Sequence, residues 1–273
     1  MTTQLGWFTA GRGPGSRAMF ERTLAAIDAG VLDARVQFVF MHRERGEGDG
    51  SDAFITLAES RGIPVLARSA RAFREAHGGD IASNRDAYDA QVRQLLRPYA
   101  PGLCVLAGYL LILSEPMVAA YRFVNIHGAL PQGPIGLWQA VIWGLIAGRA
   151  EETGAMVFSV TPDLDRGPPI AYCRFALRGP RFDGLWASAS NATVAQLRDQ
   201  DGENLPLFQA IRAEGINREP ALLVETLRLV ADGEVRLAGD TITDARGGTA
   251  EARDLTVQVN ATLALDAAKA MEG

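Results

Sequence analysis

Two cysteines in 273 residues are too few for a disulfide framework, so the chain is not a small secreted scaffold held by covalent staples. Cys104 sits in the apolar run Leu103-Cys104-Val105-Leu106-Ala107 and reads as a buried free thiol, which suits a reducing, cytoplasmic compartment. Positive charge is not in excess. Lys and Arg number 27 against 32 Asp and Glu, a net charge of −5, so no broad basic surface for nucleic acid follows. Long apolar runs are missing as well. The longest stretches, such as Leu103 to Leu113 and Ala140 to Ala147, are too short to span a bilayer, so no membrane partner is expected. The start, Met1-Thr2-Thr3-Gln4, lacks a basic region followed by a long apolar stretch and does not read as a signal peptide. The 3 histidines join no Cys, Asp or Glu at metal-ligand spacing, which predicts no metal. Finally, Gly11-Arg12-Gly13-Pro14-Gly15 is only superficially like a dinucleotide fingerprint.

What is present is a hydrophobic fraction of 48%, enough for one large core or one core plus a modest appendage. Short apolar runs alternate with amphipathic stretches. Strands are predicted at Leu5 to Thr9, Val36 to Met41, Ile63 to Val65, Leu103 to Ala107 and Val124 to His127. Helices are predicted between them, at about Ser16 to Ala29, Asp52 to Arg61 and Ala87 to Leu96. That alternation is the signature of an α/β fold, a mostly parallel sheet flanked by helices. After about residue 150 the pattern changes. Gly154 to Thr161 and Ile170 to Leu177 are two extended runs joined by a turn-rich segment, predicting an antiparallel addition at the sheet edge. A helical C-terminal extension is expected from 201 to 273, packed on the same domain. Its helices are read at Leu205 to Ala213, Pro220 to Ala231 and Leu255 to Met271, after another at Leu185 to Leu197. Leu237 to Arg253 reads as an exposed loop or short hairpin.

The sharpest local signal is Asn125-Ile126-His127-Gly128 at a strand end. In an open parallel sheet the ligand crevice lies beyond the carboxyl ends of the strands. Residues two apart on a strand project to one side, so a carboxamide and an imidazole would face one reacting atom. A lone Asn-x-His is also compatible with a strand end whose side chains merely bond to backbone. A second signal is the turn Ala10-Gly11-Arg12-Gly13-Pro14-Gly15-Ser16-Arg17. Its glycines let backbone N–H groups approach an anion at a helix start, and Ser16 could cap that helix. His42 and His77 are read as isolated in polar loops. Trp138 and Trp143, five apart on a helix, are read as core packing or a pocket wall.

Three blocks stand in order: Leu103 to Ala107 with Gly108-Tyr109-Leu110-Leu111-Ile112-Leu113-Ser114, then Asn125-Ile126-His127, then Leu164-Asp165-Arg166-Gly167-Pro168. Together they resemble the formyltetrahydrofolate-dependent formyltransferases, the family of glycinamide ribonucleotide transformylase, over roughly residues 5 to 200. The resemblance implies a Rossmann-like formyltransferase fold, with residues 1–200 as the catalytic domain. It implies a catalytic triad of Asn125, His127 and Asp165. It makes 10-formyltetrahydrofolate the co-substrate, held by Tyr109, Leu110, Leu111, Ile112 and Leu113 and by Thr161 and Asp163. It places the acceptor, a small amine that can be phosphorylated, against Gly11, Arg12, Gly13, Gly15, Ser16 and Arg17, and a homo-oligomer is allowed. Glu203 is in addition a candidate to reach the amine. The chain departs from the family in several places. Pro14-Gly15 is inserted and Arg17 replaces Asn in the first turn. Gly128 to Gly136 replaces Pro-Ser-Leu-Leu-Pro, Leu111 replaces Arg, and Phe158 stands where a second His is common.

The implied activity is formyl transfer to an amine, by default glycinamide ribonucleotide. Hydrolysis of the same donor to formate is a second reading, and a catalytically silent folate- or nucleotide-binding module on the same fold is a third. In the transfer chemistry Asn125 donates to the developing oxyanion, a cationic His127 supplies charge, and Asp165 orients the ring.

Overall fold

The computed structural model describes residues 2–162, 167–238 and 241–272. The first half alternates strands with helices, two of them between β3 and β4: β1 (Thr3–Thr9), α1 (Pro14–Asp28), β2 (Ala34–Met41), α2 (Asp49–Ser60), β3 (Val65–Ala67), α3 (Ala70–His77), α4 (Arg85–Leu96), β4 (Leu103–Leu106), α5 (Glu115–Ala120), β5 (Phe123–His127). Then follow α6 (Trp138–Ala147), β6 (Glu152–Ser159), β7 (Pro169–Ala176), α7 (Asp183–Ala189), α8 (Val194–Gln200), a single 3-10 turn at Gly202–Asn204, α9 (Pro206–Ala231), β8 (Val235–Ala238), β9 (Thr241–Asp244), β10 (Arg253–Asp254) and α10 (Thr256–Glu272).

The main sheet runs β10-β7-β6-β5-β4-β1-β2-β3. Strands β1 to β5 are mutually parallel, and β6 is antiparallel to both β5 and β7. The two-residue β10 pairs parallel with β7 and is the true edge beyond the antiparallel addition. Strand order reverses between β1 and β4, the switch point at which such sheets open a crevice beyond their carboxyl ends. Both faces of the strands are apolar because both are covered. Leu5, Trp7, Val39 and Met41 join one core with Phe20, Phe54, Leu222 and Leu223, while Phe8, Phe38 and Phe40 join a second with Phe73, Tyr88, Val92 and Phe123. A third cluster gathers α6, α7, α8 and the start of α9 around Phe208.

Several details differ from the sequence reading. Helix α3 was not foreseen: it is short, and its N-cap Ser69, whose hydroxyl accepts from Ala72 N–H, is its clearest signal. The third strand begins at Val65, not Ile63. Pro64 cannot donate to a ladder and only its carbonyl takes part, accepting from Val39 N–H. The single helix expected over Leu185 to Leu197 is two, because Thr193 forms a capping box with Gln196 and restarts the chain as α8. Conversely, the two helices expected on either side of Pro220 are one helix of 26 residues. Proline removes one hydrogen bond there. The helix nevertheless continues, since Leu222, Leu223 and Leu227 stay buried against α1, β6 and β7, and Ile211 in the cluster with α6. Leu237 to Arg253 contains the hairpin β8–β9, with Leu237 and Ile242 buried, so of the two expected alternatives the hairpin is present. Among the described residues no helix is long and apolar enough to cross a membrane.

Candidate active site

The turn after β1 is shaped by its packing. Gly11 has φ +62°, and a Cβ there would stand 2.7 Å from Met41 Cε and 2.8 Å from Phe54 Cβ, so no other residue fits. Gly11 N–H donates to Thr9 Oγ1 at 3.0 Å, Ala10 N–H donates to the Gly108 carbonyl at 3.0 Å, and Ser51 Oγ donates to the Ala10 carbonyl at 2.8 Å. The turn is therefore tied to the loop after β4 and to the start of α2. Gly13 is the N-cap of α1 and supplies no side-chain cap; no acid lies in the first turn, and the space beside Gly13 is open. Ser16 does not cap the helix: its hydroxyl donates to the Gly13 carbonyl at 2.9 Å. Arg12 is exposed, and Arg17 is held in an exposed ion pair with Glu21 at 2.8 Å.

The block after β4 divides. Tyr109 and Leu113 are buried in the second core, Tyr109 edge-on to Phe8 with centroids 5.8 Å apart. Leu110 and Ile112 are exposed, with Leu111 between these extremes. Ser114 N–H donates to the buried carboxylate of Asp89 at 2.6 Å, which anchors the end of the block.

His42 does not lie in a polar loop. It is buried beyond the end of β2 and edge-on to Tyr109, with centroids 5.3 Å apart. Burial pushes its pKa down to about 4, opposed by a hydrogen bond from the ring to the residue's own backbone, with Arg43 lowering it further. The unfolded ring titrates near 6.5, so between these values the unfolded chain binds the proton and the fold refuses it. Stability is therefore full above about pH 6.5 and is lost as pH falls toward 4, by about 3 kcal/mol in total. We expect His42→Gln to flatten this acid limb in urea unfolding curves recorded from pH 7.5 to 4.5; an unchanged limb would assign it to other groups. His77, likewise, is stacked on Phe73 at the end of α3, with centroids 3.9 Å apart.

Asn125 and His127 face the same side of β5 by strand alternation. Asn125 Oδ1 accepts from Ile126 N–H at 2.9 Å, which leaves the carboxamide NH2 free to donate elsewhere. His127 Nε2 is 2.9 Å from the Pro134 carbonyl. A carbonyl only accepts, so Nε2 carries hydrogen and a neutral ring presents Nδ1 as an acceptor. Pro134 belongs to the loop 128–137, in which Gln132 has φ +69° and Ile135 and Leu137 are exposed.

The sequence reading missed a third group at this place. Glu219, on α9, is buried. Its Oε1 lies 3.5 Å from where a Gly128 Cβ would stand, and its Oε2 lies 3.9 Å from the corresponding point at Gly15. A carboxylate thus sits between the α1 turn and the residue after His127. Arg212 Nη1 pairs with it at 3.3 Å, while Arg212 Cζ stands 4.4 Å from the Trp138 ring centroid. Burial raises the Glu219 pKa; Arg212, and more weakly His127, oppose that rise. Glu203, the acid expected to reach the amine, is on the exposed 3-10 turn. The available signal for Glu219 was an acid opening the apolar run Pro220-Ala221-Leu222-Leu223-Val224. Trp143 packs on Phe208 at 5.1 Å, and Trp138 packs on the same ring at 5.8 Å while also meeting Arg212, which is the core-packing reading.

Asp163 and Asp165 lie outside the described residues. The chain on either side is tethered. Val160 N–H donates to the Phe123 carbonyl at the start of β5, Thr161 follows directly, and a Cβ at Gly167 would fall on the Ser159 carbonyl.

A parallel sheet with a glycine turn at its switch point, and a carboxamide, an imidazole and a carboxylate gathered beyond it, defines an enzyme of the open α/β class. Residues 14–176 match the Formyl transferase family, and the chain belongs to it: the protein is a formyltransferase, a one-carbon group transferase. It is 30% identical over 208 residues to the phosphoribosylglycinamide formyltransferase of Escherichia coli (strain K12), covering 74% of this chain and 84% of that protein. It is 28% identical over 181 residues to the methionyl-tRNA formyltransferase of Mycobacterium avium (strain 104), covering 63% of this chain and 50% of that protein. In fold it matches the phosphoribosylglycinamide formyltransferase of Coxiella burnetii with a TM-score of 0.66 at 20% identity, covering 93% of this chain and 100% of that one.

Proposed function

We propose that this chain transfers formyl from 10-formyltetrahydrofolate to the primary amine of a small phosphorylated acceptor, with glycinamide ribonucleotide as the first to test. The reading is supported by Asn125 and His127 on one side of the end of β5, with Glu219 between Gly128 and the uncapped start of α1. The roles follow from the groups. The acceptor amine attacks the formyl carbon, forming the new C–N bond and a tetrahedral oxyanion. The free NH2 of Asn125 donates to that oxygen. Nε2–H of His127 is held by Pro134, so Nδ1 is left to accept the amine proton and pass it to the departing folate nitrogen as its C–N bond breaks. Asp165, from the third block, is assigned to stabilise the imidazolium formed when Nδ1 takes that proton, and Thr161 and Asp163 to contact the donor.

Leu110 and Ile112 are exposed apolar groups suited to the flat face of a pterin, and the backbone of Tyr109, Leu111 and Leu113 would line the same wall. Gly11, Gly13 and Gly15 open the helix start to a phosphate, with Arg12, Ser16 and Arg17 flanking it. Glu219 accepts a hydrogen from the amine and aims its lone pair. The net charge of −5 favours a small acceptor over an RNA.

The test is to mix the protein with 10-formyltetrahydrofolate and follow tetrahydrofolate formation by absorbance, with and without glycinamide ribonucleotide. Turnover that depends on the ribonucleotide is expected. Formate release at one rate with or without it would replace transfer by hydrolysis, and no turnover in either arm would remove the reading.

A further inference from the structure

Arg212 and Glu219 are seven residues apart on α9, two helical turns, and share a face. The guanidinium has two partners and a close neighbour: Nη1 pairs with Glu219 Oε1 at 3.3 Å, Cζ stands 4.4 Å from the Trp138 ring centroid, and Nη2 lies beside Gly15, 3.9 Å from where a Cβ would stand. Trp138 is itself wedged against Phe208. A long, flexible side chain is therefore fixed between an indole, a buried carboxylate and the first turn of α1. Surface Arg–Glu pairs contribute little, because water screens them and ordering two side chains costs entropy. Here the carboxylate is buried and the arginine is pre-ordered by stacking, so neither objection applies.

We propose that Arg212, backed by Trp138, is a positioning residue of the acceptor side: it holds the buried Glu219 carboxylate aimed between the α1 turn and Gly128. The inference rests on the formyl-transfer reading only for what Glu219 does once held. Among the described residues, the other titratable groups facing Glu219 are His127 from β5 and, more distantly, Cys173 from β7. Neither replaces Arg212. Burial, already the largest influence on Glu219, favours the protonated acid, and without Arg212 the main opposition to it is gone. A protonated acid cannot accept the hydrogen of the amine. Lysine would restore charge but neither the fork nor the flat stacking surface.

The experiment uses Arg212→Met and Arg212→Lys in the full chain, each alone and with Glu219→Gln. Kinetics with glycinamide ribonucleotide should show Arg212→Met raising the acceptor KM at least tenfold at pH 7, with part of the loss recovered as pH rises and Glu219 ionises again. The KM for 10-formyltetrahydrofolate should stay within twofold, and Arg212→Lys should fall between the two. An acceptor KM that rises equally at every pH, or does not rise, overturns the proposal.

A second arm needs no acceptor and separates failure of the proposal from failure of the transfer reading. A carboxyl whose folded pKa is raised loses stability as pH climbs past its unfolded value toward the folded one. In urea unfolding from pH 5 to 8.5, Glu219→Gln should therefore stabilise more at high pH, and the gain should be larger and extend to higher pH in the Arg212→Met background. Identical pH dependence of that gain in both backgrounds shows that Arg212 does not govern Glu219, whatever the acceptor proves to be.

Discussion

His127→Ala should lower turnover with 10-formyltetrahydrofolate by about 10²–10³-fold while the protein stays folded. That is the range for losing one proton-transfer group or one transition-state donor in such a site. The ring is partly buried and, among the described residues, makes one hydrogen bond, to the Pro134 carbonyl, so the stability change should be no more than about 1–2 kcal/mol. Asp165→Asn, from the third sequence block, should lose most turnover as well, and the double variant should lose less than the product of the two, since residues acting as one unit are not additive. Single-turnover kinetics and urea unfolding on the same preparations check both halves. Near-normal turnover in both single variants would remove the mechanism. Unfolded protein would remove the claim that His127 acts in chemistry and not in packing.

Gly154→Ala is expected to destabilise the protein by about 3 kcal/mol or more. Gly154 lies inside β6, where a Cβ would land on the Cys173 carbonyl of the neighbouring β7 and stand 2.7 Å from Leu130 Cδ2. A backbone carbonyl in a central ladder cannot step aside without breaking pairing on both flanks of the strand. The consequence reaches the site. Leu130 belongs to the loop that carries Pro134, and that loop's carbonyl sets the tautomer of His127. The folded fraction of Gly154→Ala should therefore also turn over more slowly. Gly184→Ala, where nothing lies within 4 Å, is the control and should leave the urea midpoint unchanged or raised. Equal midpoints for the two variants would show that the close approach at Gly154 is not a constraint.

Much of this molecule was legible in one dimension, for local reasons. Apolar runs such as Leu103 to Leu106, bounded by turns, can only be covered strands, and their alternation with helices dictates a parallel sheet. Asn125 and His127 were findable because a spacing of two on a strand end guarantees a common side whatever the rest of the chain does. The glycine turn was visible for the same reason, since φ near +62° at Gly11 is a property of a single residue. Errors arose where context outweighs local preference. Pro220 is a strong local stop, yet α9 passes through it because burial along both halves outweighs one missing hydrogen bond.

That same misreading hid Glu219. Read as a residue beside a helix break, it is an unremarkable acid. On a continuous α9 packed across α1 and β6, it is delivered 92 positions downstream of His127 (127 to 219) to the ring's own neighbourhood. The sequence by itself determined the sheet, the helices that flank it and the Asn-x-His edge, because these depend on periodicity and on neighbours close in the chain. Only the tertiary structure decided which charge stands opposite that edge. The partners of a buried carboxylate are chosen by how whole helices pack, and that choice leaves no periodic trace along the chain.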